Sequence, residues 1–167
     1  MIIRQAVTKD APAVAGLINE MVRGSLSTFS TEERDPASVA EQISQNAYRF
    51  LVAEEAGSVL GYATYKPFRH GPGYRHSMEH SISLAPAAHG RGIGRSLMAR
   101  LEAIAAGDGV HVMIAGISGA NPGAIAFHTA LGYVEVGHMP QVGRKWDQWL
   151  DLVLMQKILA ADAETLT

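Results

Sequence analysis

The 167-residue chain has no cysteine, no block of like charge and no long apolar run. Without cysteine it can form no disulfide framework, no thiolate metal site and no cysteine nucleophile. A formal net charge of −2, with its Lys and Arg residues dispersed, argues against nucleic acid or an acidic membrane surface as the main partner. The opening MIIRQAVTKD lacks the apolar centre of a signal peptide, and no apolar run approaches the roughly 18 residues of a membrane span. We therefore expect a soluble cytoplasmic protein.

The composition is that of a compact globular domain. Hydrophobic residues make up 47% and charged residues 18% of the chain, which is enough for a substantial core. We expect one domain over residues 1–160 and a short C-terminal tail over 161–167. The seven histidines show no metal-like pairing at helical or strand spacing, so no metal site is expected.

Short strand-like and helix-like segments alternate along the chain. Apolar residues at helical spacing, N-caps and early prolines predict helices over about 10–23, 35–45, 92–106 and 122–131. Strand-like runs are predicted over 2–5, 50–55, 59–65, 77–84, 112–115, 133–139 and 150–156. Strands that alternate with helices but also pair through hairpins indicate a mixed α/β sheet rather than a purely parallel one.

The most informative segment is the Gly-rich turn His89–Arg95, which joins the predicted strand 77–84 to a helix. Glycines let a backbone pass close to a ligand, and the free N–H groups of a first helical turn favour an anion. The spacing does not match a dinucleotide fingerprint, because the third fingerprint position is Arg95, and no Gly-Lys-Ser/Thr follows as in a nucleotide-binding P-loop. Binding of some other phosphorylated ligand stays open.

The run His89-Gly90-Arg91-Gly92-Ile93-Gly94 resembles the acetyl-CoA signature Gln/Arg-x-x-Gly-x-Gly/Ala of the GCN5-related N-acetyltransferase (GNAT) superfamily. Both glycines match, and His89 stands where Gln or Arg is usual. The resemblance covers nearly the whole chain and extends to Asn121-Pro122 and to Leu131-Gly132-Tyr133. It implies an α/β (α+β) fold with a mixed, mostly antiparallel central sheet flanked by helices. It also implies acetyl-CoA as the co-substrate.

Four further segments are similar to one branch of that superfamily, the phosphinothricin, methionine sulfone and methionine sulfoximine acetyltransferases. They are Gly61-Tyr62-Ala63, Met78-Glu79-His80-Ser81, Met139-Pro140-Gln141-Val142-Gly143 and Trp149-Leu150-Asp151. Members of the branch acetylate the α-amino group of small amino-acid-like compounds. The branch commonly reads Lys-Phe-Gly-Arg-Trp-Leu where this chain has Lys145-Trp146-Asp147-Gln148-Trp149-Leu150. That departure leaves the exact substrate open.

Glu79 is the candidate general base. An ammonium ion cannot attack a thioester, so the amine must lose a proton, and a part-buried carboxylate can take that proton directly or through water. On the strand 77–84 the odd positions, Glu79 among them, share one face and the even positions the other. The residues alone allow a second interpretation, an edge-strand carboxylate paired with an arginine. The resemblance favours the base, since the family's catalytic carboxylate falls on this strand.

The resemblance also implies the residues that hold acetyl-CoA. Backbone groups of Ile82, Ser83 and Leu84 would bind the pantetheine arm and the thioester carbonyl, and Asn121 would hydrogen-bond the arm. Asn121 also suits an N-cap before Pro122, and the two roles can coexist. The pyrophosphate would lie on the Gly-rich turn, formed by His89, Gly90, Arg91, Gly92, Ile93, Gly94 and Arg95.

His128 is the secondary catalytic candidate. Many members of the superfamily have a tyrosine four residues before the glycine of the closing Gly-aromatic pair, where it protonates the thiolate, and His128 holds that position relative to Gly132. A histidine can donate a proton near neutral pH. The alternative for a single helical histidine is a packed, hydrogen-bonded residue.

Substrate recognition is expected from the loop that precedes the Glu79 strand. An amino-acid substrate carries a carboxylate, and Arg69 or Arg75 could bind it in a bidentate manner, the alternative being solvated loop charges. The predicted substrate residues are Phe68, Arg69, Gly73, Tyr74 and Arg75.

We expect an acetyl-CoA-dependent N-acetyltransferase that acts on a small amino-acid-like amine by direct attack in a ternary complex, since no cysteine can carry the acetyl group. Two alternatives remain: acetylation of a protein N-terminus or lysine, and a non-catalytic acetyl-CoA-binding homodimer. A homodimer is expected in either case, because the family is often dimeric, and Trp146 and Trp149 are candidates for the site or the dimer contact.

Overall fold

The structure is a computed structural model that describes residues 1–159, so the predicted tail 161–167 lies outside the described residues. Each predicted helix and strand is present. The helices are α1 (Ala11–Gly24), α2 (Pro36–Gln45), α3 (Ile93–Gly107) and α4 (Pro122–Ala130). The strands are β1 (Ile2–Gln5), β2 (Phe50–Glu55), β3 (Ser58–Pro67), β4 (Ser77–Leu84), β5 (Val112–Ser118), β6 (Val134–Lys145) and β7 (Gln148–Ile158).

The strands form one seven-stranded sheet in the order β1-β2-β3-β4-β5-β7-β6. Every neighbouring pair is antiparallel except β4 and β5, which run parallel. The predicted mixed, mostly antiparallel sheet is therefore confirmed. No helix within residues 1–159 has the length and apolar character needed to cross a membrane.

Helices cover both faces of the sheet, and the alternation of each strand decides which face a side chain joins. Phe50 and Val52 pack with α1 and α2, while the intervening Leu51 and Ala53 pack with α3. Leu97 and its neighbours along α3 are fully buried against this second face. The two apolar layers fix the sheet between the helices.

The sheet splits between β4 and β5. The parallel pairing begins at Ser77↔Val112 and ends at Glu79↔Ile114. Beyond that point β4 remains paired with β3 as far as Leu84, and β5 remains paired with β7 as far as Ser118. We call this opening the fork. Backbone groups on the facing edges of β4 and β5 are free for a ligand there.

Several strands extend beyond their predicted bounds, β6 the furthest, and one expected N-cap differs. The side chain of Asp10 makes no cap bond to α1, because it accepts hydrogen bonds from Arg4 and from the N–H of Val7 instead. Strand β6 was expected to end at Met139 but continues to Lys145. It passes Pro140 through an irregularity at Gln141, which has a φ of 58° and donates its N–H to Asp151 Oδ1. An edge strand such as β6 tolerates a proline, because it lacks a pairing partner on one side.

Candidate active site

A cavity of about 920 Å³ lies beside the fork. We call it the fork cavity. Strand β4 and the turn that follows it line one side, and α4 lines another. The end of α1 and the loop after it complete the wall. Its size is within the usual range for a cofactor or small-molecule site.

The predicted acetyl-CoA residues come together on this cavity, with one exception. Those that line it are Ile82, Ser83, Leu84, His89, Gly90, Gly92, Ile93, Gly94, Arg95 and Asn121. Arg91 does not line it. Its guanidinium donates to both carboxylate oxygens of Glu55 at 2.9 Å, and this pairing lowers the pKa of Glu55.

The Gly-rich turn has a backbone that only glycine adopts easily. Gly90 and Gly92 have φ values of 72° and 76°, in the left-handed region, and a Cβ on either would meet nothing within 4 Å. The first hydrogen bond of α3 runs from Ser96 N–H to Gly92 O at 3.1 Å. The N–H groups of Ile93, Gly94 and Arg95 have no helical acceptor, and all three residues line the cavity, so they are available to an anion.

Gly94 serves a different purpose. Its backbone is ordinary helix, but a Cβ there would lie 3.1 Å from the Phe127 ring and 3.2 Å from Leu84. The missing side chain lets the first turn of α3 approach β4 and α4 closely. That approach brings the two ends of the cavity wall together.

Strand β4 supplies the inner wall. Ser83 is 6% exposed, and its hydroxyl donates to the Met21 sulfur of α1 at 3.7 Å. Ile82 and Leu84 pack toward the other face, against the core under α3. The side chains of Ile82, Ser83 and Leu84 therefore lie on the two faces of the sheet. At the fork, the part of β4 that is open to a ligand is its backbone edge.

Asn121 begins α4 and also lines the cavity. Its Oδ1 accepts from the N–H of Ala124 at 3.1 Å, which is the N-cap predicted from the Asn-Pro step. Because the side-chain oxygen is used in the cap, the amide NH₂ is the group left for a ligand.

Glu79 stands where β4 and β5 separate, not on the cavity wall. It is the last residue of the parallel pairing, and its Oε2 lies 3.5 Å from the point where a Cβ on Gly116 would be. It is part-buried. Arginines that form ion pairs within residues 1–159 do so with other carboxylates.

His128 lines the cavity from α4 and is 4% exposed. Both of its ring nitrogens are engaged. Nδ1 lies 2.7 Å from the carbonyl oxygen of Ala124, and Nε2 lies 3.1 Å from Nε2 of His80. Burial lowers the pKa of His128, so the ring is neutral near pH 7. Proton donation by this residue requires one of the two contacts to open.

The predicted substrate loop does not contribute to the wall of the fork cavity. None of Phe68, Arg69, Gly73, Tyr74 and Arg75 lines the fork cavity. Arg69 packs over the Phe68 ring at 5.2 Å, and Arg75 donates to His76 at 2.9 Å. The structure brings the predicted cofactor residues together and leaves these five apart from them.

Sequence reasoning missed the wall supplied by α1 and the loop after it. The residues are Leu17, Glu20, Met21, Gly24, Ser25 and Ser27. Leu17 and Met21 belong to the apolar stripe of α1, which predicts a core contact and gives no sign of a ligand. Only the packing of α1 across the end of β4 identifies them.

Lys145, at the end of β6, holds the loop after α1, which forms part of this wall. Its Nζ donates to the carbonyl oxygens of Ser25 at 2.7 Å and Thr28 at 3.1 Å, and the residue is 2% exposed. Two residues earlier, a Cβ on Gly143 would meet the ring of Phe29 at 2.5 Å. Strand β6 therefore holds the loop 25–29 at both ends.

The outer side of the sheet at β6 and β7 is apolar and exposed. Large hydrophobic side chains at least 45% exposed there are Val134, Val136, Met139, Val142, Trp146, Trp149 and Ile158. A second cavity of about 470 Å³ lies here, and Trp149 lines it together with the His138–Asp151 pair. In residues 1–159 no three His, Asp or Glu side chains form a group that could hold a metal ion.

The chain has close relatives of known family. The family model described as "Acetyltransferase (GNAT) family" matches residues 18–133. An L-amino acid N-acyltransferase of Escherichia coli is 39% identical over 159 residues, which are 93% of this chain and 92% of the relative. An L-methionine sulfoximine/L-methionine sulfone acetyltransferase of Salmonella typhimurium is 39% identical over 161 residues, 93% of each chain.

A solved structure agrees with these relatives. The fold is similar to that of a GNAT superfamily phosphinothricin acetyltransferase from Sinorhizobium meliloti, crystallised in complex with acetyl-CoA. The TM-score is 0.89 and the identity 35%, over 98% of this chain and 91% of that one.

Proposed function

Since the chain belongs to the acetyltransferase (GNAT) family and is an acyltransferase, we propose that it transfers the acetyl group of acetyl-CoA to the amino group of a small amino-acid-like compound. The acceptor class we propose is an L-amino acid or an analogue of the methionine sulfone, methionine sulfoximine or phosphinothricin type. Relatives with these names match nearly the full length of the chain, which supports this class.

The observation that carries the proposal is the juxtaposition of the Gly-rich turn and the fork on one cavity. The free N–H groups at the start of α3 suit the pyrophosphate, and the unpaired edge of β4 suits the amide-containing arm. The residues present therefore fit acetyl-CoA. We propose that Ile82 to Leu84 bind the arm through backbone groups, that Asn121 donates to it, and that His89 and Arg95 border the phosphates.

In the proposed reaction Glu79 accepts the proton of the amine. Acetyl-CoA supplies the acetyl thioester, whose carbon–sulfur bond breaks as the amine nitrogen bonds to the acetyl carbon. Glu79 lies at the apex of the fork, where the acetyl end of an extended arm on β4 would arrive. The proton reaches the carboxylate directly or through a water, and Ser81 on the same face can hold that water.

His128 is our candidate for returning a proton to the thiolate. It lies on the cavity wall, across β4 from Glu79, so base and acid would work on opposite faces of the strand. The five residues Phe68, Arg69, Gly73, Tyr74 and Arg75 remain proposed acceptor contacts. They can reach a cavity only by loop movement or from a second copy of the chain, and we propose that the protein is a homodimer.

The function is tested by thiol release from acetyl-CoA with a panel of acceptors. The panel holds the free amino acids, methionine sulfone, methionine sulfoximine, phosphinothricin and short peptides with free N-termini or lysines. We expect release with amino-acid-like amines only. Release with peptides alone would favour protein acetylation, and acetyl-CoA binding without release for any amine would favour a non-catalytic binding protein.

The assignment of Glu79 is tested by Glu79→Gln. Removing the base should lower kcat by about 100-fold or more, the usual contribution of general base catalysis, with acetyl-CoA binding unchanged. Ser77→Ala, on the same strand and face, serves as the control and should remain near the parent rate. An E79Q enzyme that acetylates every tested amine at the parent rate shows that the base is another group.

A further inference from the structure

A buried contact between two histidines joins β4 to α4 on the face opposite Glu79. Nε2 of His80 and Nε2 of His128 are 3.1 Å apart, and the two rings stack with centroids 5.0 Å apart and planes 23° apart. His80 is 7% exposed and His128 is 4% exposed. The proposed transfer uses His128 at most, and nothing in it accounts for His80.

The positions of the ring protons follow from the acceptors around the pair. A carbonyl oxygen only accepts, so Nδ1 of His128 must carry the hydrogen that it shares with Ala124 O at 2.7 Å. A neutral imidazole has one N–H, which leaves Nε2 of His128 as a lone pair. The 3.1 Å contact then requires the hydrogen of Nε2 on His80, because two facing lone pairs would repel.

The surroundings keep the pair neutral. Burial lowers the pKa of His80 to about 3 and also lowers the pKa of His128. The Tyr133 ring contacts both imidazoles edge-on. Glu102, whose negative charge opposes the lowering of the His128 pKa, is already bonded to the Tyr133 hydroxyl at 3.0 Å and to Lys157 at 2.6 Å. Nδ1 of His80 is buried without a hydrogen-bond partner in the described part of the chain, as a bare lone pair would be.

We propose that His80 is a positioning residue for the acetyl transfer: its N–H, donated to Nε2 of His128, fixes the ring orientation of His128 on the wall of the fork cavity and favours the same tautomer that the Ala124 carbonyl requires. The tautomer of a histidine is set by the bond that its other nitrogen makes, and here two bonds act at once. Any part that His128 takes in the reaction starts from this arrangement. Its one hydrogen is held by Ala124 O, so donation of that proton requires the Ala124 contact to open. The inference rests on the proposed function.

Two variants of His80 separate this role from simple packing. His80→Leu fills the site but removes the N–H donor, whereas the amide of His80→Gln can still donate to His128. We expect H80L to lower kcat by about tenfold, the equivalent of one hydrogen bond, with the KM for acetyl-CoA nearly unchanged. H80Q should recover to within about threefold of the parent. Equal losses in the two variants would overturn the proposal.

The tautomer itself is read from the ¹⁵N chemical shifts of the imidazoles in the protein without substrates. The His128 signals are those missing from His128→Gln. We expect an Nδ1-protonated ring in all three proteins, because Ala124 O still accepts the hydrogen of Nδ1. The Nε2 signal of His128 should shift in H80L, where this nitrogen loses its hydrogen bond, and should stay near its parent position in H80Q. An Nε2-protonated His128 in the parent overturns the inference whether or not any amine is acetylated. If the tautomer is as expected but no amine reacts, the proposed function fails and the positioning role with it.

Discussion

At the scale of single residues, three ionisable groups near the fork cavity are buried and form no ion pair within residues 1–159. Lys145 donates to two backbone carbonyls, His128 bonds to the Ala124 carbonyl and to His80, and His80 bonds to His128. Burial lowers the pKa of all three. Polar groups inside a protein are expensive unless they are hydrogen-bonded, so these contacts hold their elements in one arrangement.

The histidine pair predicts loss of stability in mild acid. Below about pH 6.5 the unfolded chain binds a proton on each histidine that the folded chain cannot accept until its lowered pKa, about 3 for His80, is reached. The stabilising difference is complete above pH 6.5 and falls as the pH falls. The loss is at most about 1.4 kcal/mol per pH unit for each histidine.

Urea unfolding between about pH 7 and pH 5 measures this effect, in a range where carboxylates such as Asp10, whose pKa Arg4 lowers, stay charged. H80L should show a shallower dependence on pH than the parent. His70→Gln, at an exposed position, is the matched control and should keep the parent slope. A slope that is the same in all three proteins would place the acid sensitivity elsewhere.

Which residues could be found from sequence depended on whether their role was local. Asn121 caps the helix that it precedes, and Gly90 and Gly92 sit in a turn whose backbone they permit, so both signals lie within a few residues. His80 pairs with a residue 48 positions away. No local pattern marks such a contact, which only the packing of α4 against β4 creates.

At the scale of elements, a glycine of the Gly-rich turn and a glycine inside a helix predict opposite effects of a Gly→Ala change. In Gly92→Ala a side chain must adopt a left-handed φ, which costs about 1 to 2 kcal/mol. The new methyl group would occupy open space beside the turn, where we propose that the pyrophosphate lies. Gly16 lies exposed in the interior of α1 with free space around it, so Gly16→Ala should stabilise by up to about 1 kcal/mol.

Urea unfolding and calorimetric titration with acetyl-CoA test both changes. G92A should bind acetyl-CoA at least about tenfold more weakly, more than its loss of stability alone explains. G16A should bind it like the parent. If G92A retains full affinity, the turn does not contact the ligand.

The contacts by which β6 holds the loop 25–29 give another prediction. In Lys145→Met the apolar stem remains, but the carbonyls of Ser25 and Thr28 lose their donor, which should cost about 1 to 3 kcal/mol. Hydrogen exchange should then accelerate in the amides of the loop. Lys157→Met removes an ion pair to Glu102 instead and should leave the loop unchanged. Equal exchange in the parent and K145M would show that the loop is held by Phe29 alone.

The elements themselves were predictable because each carries its own periodicity and caps, as α2 does with Asp35 accepting from Ala37. What escaped prediction is how distant elements meet. The fork arises because the pairing of β4 with β5 stops at Glu79 while each strand keeps its other partner. Sequence reasoning placed the acceptor on the loop before β4, whereas the cavity wall comes from the end of α1.

At the scale of the whole molecule, the two edges of the sheet differ. Strand β1 has four residues, but β6 has twelve, most of them exposed, with a row of large apolar side chains along it and β7. A long apolar edge strand invites pairing and is normally covered. A second copy of the chain is the occupant we propose, since a two-fold interface would place this surface against itself.

Light scattering should give twice the 17.8 kDa mass of the chain. Val136→Glu puts a charge on a side chain that is 54% exposed near the start of β6, among the apolar side chains that the proposed interface would bury. We expect the variant to be a monomer. Ile2→Glu, at a residue 57% exposed on the opposite edge, should remain a dimer. If the parent protein has the mass of one chain at every concentration, the homodimer is excluded. Monomeric V136E with undiminished acetylation would show that each cavity is complete in one chain.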